Sequence, residues 1–152
     1  MLEEQVDSVR STAKQWRVSP IDFDDIGAWL VERLQARHPN ASQQAIMGWL
    51  RGCMFANSIW FVRTRDAVAL AEIVRVPLEE QPIVIEHFVL SREEAVDEAA
   101  DLYPAMASWA ANQNASALHW DRYSDVSRIQ FKNRCGGFQT KSFPYMRLGV
   151  LE

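Results

Sequence analysis

The segment Ile83–Leu90, with the sequence IVIEHFVL, constrains the fold of this chain more than any other segment. Apolar residues occupy both alternating sets of positions, so a strand formed by it presents apolar side chains on both faces. Strands of this kind lie in the middle of a sheet that is covered on both sides. Helical periodicity occurs before and after the segment. We therefore predict an α/β (α+β mixed-sheet) fold, with Ile83–Leu90 central in a mostly antiparallel sheet and helices on both faces.

Two helices are predicted upstream of that strand. Apolar residues recur at helical spacing from Phe23 to Arg37, with Asp22 as the expected N-cap. Pro39 ends this helix, because the residue before a proline avoids the helical region. Ser42 is the expected cap of a second helix, in which Trp49 lies on the apolar stripe. We expect Trp29, Trp49 and Trp109 to be largely buried against the sheet.

The remaining elements follow from strand and turn signals. Short strands are predicted at 15–18, 58–62, 68–76 and 117–120, and strand material at 138–148. A long helix is predicted from about Glu93 to Asn112, with Pro104 expected to kink or divide it. A further helix is predicted at 124–131.

Length and charge limit the function. A chain of 152 residues argues for one domain, which we place at 14–152 with residues 1–13 as an N-terminal extension. The net charge of −4 disfavours nucleic-acid binding. No apolar run approaches the ~18 residues that span a bilayer, so no membrane association is expected. Cys53 and Cys135 form no CxxC pair, which favours cytosolic thiols and a cytoplasmic location.

The order of these elements, together with several local motifs, resembles the GNAT superfamily of N-acetyltransferases over about residues 15–148. The motifs are Arg17-Val18-Ser19-Pro20 followed by Asp25-Ile26, the stretch Leu102–Ala110, Asn114-Ala115-Ser116-Ala117-Leu118, and Gly137-Phe138. The resemblance implies a GNAT-like fold in which the central strand splays from its neighbour and holds acetyl-CoA. The cofactor-binding residues implied are Phe88, Val89, Leu90, Arg92 and Ala99. The compact form is similar to GNAT-like proteins of bacteriophages, which implies the host cytoplasm or the virion.

The loop that binds cofactor pyrophosphate departs from the family pattern. The family uses Gln/Arg-x-x-Gly-x-Gly/Ala at a helix N-terminus, where bare backbone N–H groups hold the anion. Here the loop aligns with 94–99, and only Ala99 fits. The carboxylates of this region, at Glu93, Glu94, Asp97 and Glu98, repel a pyrophosphate and also suit an ordinary acidic helix start. We expect acetyl-CoA to bind weakly or not at all, with Arg92 offsetting part of the repulsion.

The resemblance also places an acidic tyrosine before the Gly-Phe pair. That position is near Asn133 here, and an amide cannot serve as an acid. Tyr123 and Tyr145 are possible substitutes that no signal positions.

Two neighbouring residues on the central strand are the candidate catalytic groups. Glu86 and His87 point to opposite faces, so they do not form one acid–base pair. Either one is able to activate an amine as a base, since a buried carboxylate or imidazole can titrate near neutrality. The alternative is a hydrogen-bonded polar residue on a half-exposed face. Glu72 on the neighbouring strand is a weaker candidate, and His119 with Asp121 lacks a third ligand, so no metal site is predicted.

Two functions remain open at this point. The first is a catalytically degenerate GNAT-like protein that acts by binding another protein or by self-association, as a phage structural or assembly component or as an inhibitor. The alternative is an active acetyl-CoA-dependent N-acetyltransferase with an amine substrate. A generic ligand-binding domain is the third possibility, because a fold alone does not fix a function.

Overall fold

A computed structural model describes residues 14–92 and 95–119 and the backbone of 120 and 140–142. The helices are α1 (Phe23–Arg37), α2 (Gln43–Phe55) and α3 (Val96–Asn112), with a 3-10 turn at Pro20–Asp22. The strands are β1 (Trp16–Arg17), β2 (Ile59–Arg63), β3 (Ala67–Val74), β4 (Ile83–Ser91), β5 (Leu118–Trp120) and β6 (Thr140–Ser142). The predicted extension at 1–13, the helix at 124–131 and most of the strand at 138–148 lie outside the described residues.

The strands form one mixed sheet in the order β1-β2-β3-β4-β5-β6. Neighbours from β1 to β4 pair antiparallel, whereas β4–β5 and β5–β6 pair parallel. A parallel neighbour needs a crossover connection, and α3 provides the one between β4 and β5. The predicted central position of the IVIEHFVL strand is confirmed.

Helices cover both faces of the sheet. On one face, α1 and α2 pack against the strands through a core that includes Leu30, Leu50, Phe61, Phe88 and Leu90. On the other face, α3 packs through a second core that includes Ala69, Val84, Val89, Leu102 and Met106. These two sets of strand residues explain why β4 is apolar on both sides.

Local signals placed α1 and α2 correctly, but only one of the two predicted caps makes the expected contact. The Ser42 hydroxyl accepts a hydrogen bond from the backbone N–H of Ala45 at 3.0 Å, as predicted for a cap. Asp22 holds the N-cap position of α1 without a side-chain cap bond. Its carboxylate instead accepts from the Ser19 N–H at 2.8 Å and from Trp16 Nε1 at 3.1 Å.

Helix α3 runs through Pro104 without a break, so the expected division is wrong. A proline inside a helix costs about 3 kcal/mol. Here the buried stripe of the helix, which includes Ala99, Leu102, Tyr103 and Met106, packs on the sheet from both sides of the proline. Burial of several such side chains at ~1.5–3 kcal/mol each outweighs the proline penalty.

The tryptophan prediction is wrong for Trp49, which is 40% exposed. The buried residues of α2 are Ile46, Leu50, Cys53 and Met54, and Trp49 flanks this stripe rather than lying in it. Trp29 and Trp109 are half-buried, and the Trp109 ring stacks on Trp60 with centroids 6.3 Å apart. None of the helices in the described part of the chain has the length and apolarity that a membrane crossing requires.

Candidate functional site

The described part of the β4–β5 ladder lies near the start of β4. The β4–β5 ladder consists of Val84–Leu118 and Ile85–His119. Trp120 still pairs with Ser142 of β6, but among the described residues it has no ladder partner on β4. β4 continues beyond these two pairs to Ser91.

A bulge lies in β4 just beyond these two pairs. Leu70 of β3 is paired with Phe88, but the next residue, Ala71, is paired with Glu86, so His87 is the extra residue. A bulge turns side chains away from regular alternation. As a result the consecutive residues His87 and Phe88 both meet the ring of Trp49, at centroid distances of 5.4 and 6.4 Å.

The imidazole of His87 is oriented by a carboxylate on the neighbouring strand. His87 Nε2 lies 2.7 Å from Glu72 Oε1, and the two side chains are 11% and 35% exposed. Trp49 meets the imidazole in an edge contact. The contact with Glu72 and the edge contact with Trp49 thus fix the orientation of the imidazole ring.

Cys53 lies beside this site but does not supply a nucleophile. It follows Trp49 by one helical turn on α2 and is buried. Burial and the negative charge of Glu72 raise the pKa of the Cys53 thiol to about 11. The reactive thiolate is therefore scarce at neutral pH.

Glu86 lies on the other face of the sheet. Val84, two residues earlier on the regular part of β4, belongs to the core beneath α3, and alternation puts Glu86 on that side. The Glu86 side chain is fully buried. The two sequence candidates are thus separated as expected, and His87 is the more accessible.

The candidate cofactor residues of β4 contribute only their backbone to any ligand. The side chains of Phe88, Val89 and Leu90 are at most 1% exposed and form part of the two cores. Ala99 is likewise buried in the core beneath α3.

Arg92 follows β4 and is held by two carboxylates of the same chain. Its Nη2 lies 2.7 Å from Asp25 Oδ1, and its Nη1 lies 3.1 Å from Asp66 Oδ1. Burial lowers the pKa of Arg92, but these hydrogen bonds more than offset that effect and raise it. The guanidinium also lies over the ring of Trp29, at 5.5 Å from its centroid.

The first turn of α3 is tied to the turn between β2 and β3. Glu98 Oε1 accepts a hydrogen bond from the Thr64 hydroxyl at 2.6 Å and from the Asp66 backbone N–H at 3.1 Å. Asp97, also in this turn, is exposed. Glu93 and Glu94 lie outside the described residues. The acidic start of α3 therefore has a structural use within the fold.

A buried ion pair adjoins this end of the sheet. Arg63 is 3% exposed, and its Nη1 lies 3.1 Å from Asp22 Oδ1. Its Nη2 contacts Asp25, which thereby bridges Arg63 and Arg92. Hydrogen bonds from Arg63 and then Arg92 hold the pKa of Asp25 below its ordinary value. Sequence reasoning did not identify this cluster.

Several predicted site residues cannot be placed. Asn133, Tyr123, Tyr145, Asp121 and Cys135 lie outside the described residues. Among the residues that are described, no three His, Cys, Asp or Glu side chains come together as a metal site. Sequence reasoning also did not identify Trp49 as a neighbour of His87. Trp49 precedes Cys53 by one helical turn, so the two residues lie on the same side of α2.

No family model and no curated protein matches this sequence. Among solved structures, a crystal structure of a mutant of the BH1408 protein from Bacillus halodurans is similar, with a TM-score of 0.55. The match covers 90% of this chain and 92% of that chain at 13% sequence identity. At this identity the likeness concerns the fold.

Proposed function

We propose that this protein is a GNAT-like protein whose cofactor site is degenerate and which acts by binding a protein partner. The observation that carries the proposal is the environment of Arg92. The cation expected to meet a pyrophosphate is already bound to Asp25 and Asp66. An incoming phosphate must displace these carboxylates or remain beside them.

The topology supports the GNAT part of the proposal. A strand, two helices, an antiparallel meander and a helix lead to a parallel strand, in the order that the resemblance implies. Among the described residues β4 has no partner on β5 beyond Ile85, which is compatible with the splayed central strand that the resemblance implies.

Electrostatics at the start of α3 opposes an anionic cofactor. Glu98 is fixed there by Thr64 and Asp66, and Asp97 stands exposed beside it. One carboxylate near a helix start interacts by ~0.3–1 kcal/mol. Several of them near a doubly charged pyrophosphate oppose binding by a few kcal/mol, on the order of a hundredfold in affinity.

Calorimetric titration with acetyl-CoA tests this proposal. We expect no binding by the natural sequence up to millimolar cofactor. A variant with Glu93→Gln, Glu94→Gln and Asp97→Asn is expected to bind roughly a hundredfold more tightly, since like charge has been removed. Glu98 and Arg92 are left unchanged because both hold the fold together. Micromolar binding by the natural sequence would overturn the proposal.

The second candidate function is acyl transfer from acetyl-CoA to an amine. The observation that favours it is the contact between His87 and Glu72 at the bulge in β4. In that function His87 takes a proton from the attacking amine, while Glu72 stabilises the imidazolium.

His87→Gln separates this function from the first. Glutamine keeps a hydrogen-bond donor for Glu72 but cannot accept a proton at neutral pH. If the enzyme is active, the rate of amine acetylation should fall about 10²–10⁴-fold, the usual contribution of a general base. His38→Gln is the matched control, because His38 is exposed at the end of α1. Equal activity in the two variants would exclude His87 as the base.

A further inference from the structure

An open pocket lies where α1 turns into α2, and its volume is about 220 Å³. Its wall consists of one imidazole and otherwise apolar side chains, from Leu34, His38, Ala41, Ala45, Ile46 and Trp49. An apolar cavity of about 150 Å³ is large enough for a benzene molecule. The pocket therefore has room for an apolar group of about that size.

Trp49 connects this pocket with the polar side chains on the sheet. It lines the pocket, and its ring meets the imidazole of His87 with centroids 5.4 Å apart. His87 in turn contacts Glu72, whose side chain is 35% exposed. Trp49 is itself 40% exposed, although tryptophan is usually well buried in folded proteins. A ligand in the pocket thus has a path along an exposed aromatic ring to a histidine and a carboxylate.

The carboxylate of Glu72 is able to take up a cation. Among the described residues it forms no ion pair with a lysine or an arginine, and its partner is the imidazole of His87. Asp25 and Asp66, by contrast, are both bound to Arg92. The ring of Trp49 favours the same kind of ligand, because the negative face of an indole attracts ammonium groups.

We propose that this place binds a primary amine whose ammonium group is joined by a short alkyl chain to an apolar group of about the size of a benzene ring. The apolar group occupies the pocket, the chain lies against Trp49, and the ammonium donates a hydrogen bond to the Glu72 carboxylate. The nitrogen is then beside His87. This inference rests on the second candidate function, for which it names the substrate class.

Titration of the chain with phenylpropylamine, followed by NMR in the absence of acetyl-CoA, tests the inference. We expect the indole N–H signal of Trp49 to shift as amine is added. The signal of Trp109, which lies on α3 at the other face of the sheet, should stay in place. Phenylpropanol lacks the charge and propylamine lacks the ring. Each should bind at least about tenfold more weakly than phenylpropylamine.

Two substitutions at accessible side chains separate the two parts of the site. Glu72→Gln keeps a hydrogen-bond partner for His87 and should weaken phenylpropylamine about tenfold while leaving phenylpropanol unchanged. Ala45→Leu fills the pocket from an exposed position and should reduce the affinity for phenylpropylamine to that for propylamine. Ala28→Leu is the matched control, because Ala28 is an exposed alanine of α1 outside this pocket.

Three results would overturn the inference. They are equal affinities for phenylpropanol and phenylpropylamine, an affinity for the amine that Glu72→Gln or Ala45→Leu leaves unchanged, and a Trp49 signal that stays in place up to the solubility limit of the amine. Because no cofactor is present, such a result contradicts the amine site alone. His38 also lines the pocket, so His38→Gln should change the KM for such an amine but not kcat, whereas His87→Gln should lower kcat.

Discussion

Replacing Arg63 with Met is expected to lower the free energy of unfolding by about 3–5 kcal/mol. Arg63 is 3% exposed and pairs with Asp22, whose side chain is 10% exposed. Methionine keeps much of the volume but leaves the Asp22 carboxylate buried without its cation. Chemical denaturation followed by tryptophan fluorescence measures the loss.

Two further variants identify the source of that loss. Arg65→Met changes an exposed arginine in the turn that follows β2 and should alter stability by less than about 0.5 kcal/mol. Adding Asp22→Asn to Arg63→Met should recover part of the loss, because the buried charge is then removed with its partner. If Asp22→Asn brings no recovery, packing rather than charge explains the effect.

The Arg63–Asp22 ion pair also determines how the free energy of unfolding depends on pH. Burial raises the pKa of Asp22, but hydrogen bonds from Ser19 and Trp16 and the charge of Arg63 outweigh this and lower it. A lowered carboxyl pKa contributes stability above its unfolded value of about 4, which is lost as the pH falls through the folded pKa. The unfolding free energy should therefore fall below about pH 4, and less steeply in Arg63→Met than in the natural sequence.

Phe88→Ala is expected to lower the free energy of unfolding by about 3–5 kcal/mol, the usual effect of emptying a buried aromatic site. Phe88 is 1% exposed and makes edge contacts with Phe61 and Trp49, each at 6.4 Å between ring centroids. Thermal and denaturant unfolding both measure the change.

The control for Phe88 is Ile21→Ala, which removes an apolar side chain that is 77% exposed and should cost well under 1 kcal/mol. Phe88→Leu should fall between the two, because it leaves a smaller cavity. A loss below about 1 kcal/mol for Phe88→Ala would mean that this residue is not part of the core. The hypothesis that the Phe88 side chain contacts a cofactor would then stand again.

Local sequence signals were sufficient for α1 and α2. The range Phe23–Arg37 was predicted from periodicity and a downstream proline, and Ser42 from its place before an apolar stripe. These signals act within one or two helical turns. The central place of Ile83–Leu90 was also predictable, because apolarity on both faces requires cover on both faces.

The site depended on contacts that no local pattern encodes. Glu86 and His87 were identified as candidates, but the partner of His87 depends on the register of β3 against β4, which a bulge shifts. Arg92 was assigned to phosphate because its ion-pair partner Asp25 is 67 positions away in the sequence. Periodicity predicts which face of a helix is buried only to within about one residue. Trp49 was therefore assigned to the core, although it lies at the margin of the core.

The division of the sheet into an antiparallel half and a parallel half has a consequence for the order in which the chain acquires its structure. β2, β3 and β4 are neighbours both in sequence and in space, so closing their connections requires little loss of chain entropy. β5 can join β4 only after α3 has crossed the sheet, and the described part of its ladder consists of the pairs at Val84 and Ile85. Contacts between residues that are separated by a longer loop of chain form later and open more readily. Among the described strands, amide hydrogens of β3 should thus exchange with solvent most slowly, and the junction of β4 with β5 should open more readily than the pairing of β3 with β4.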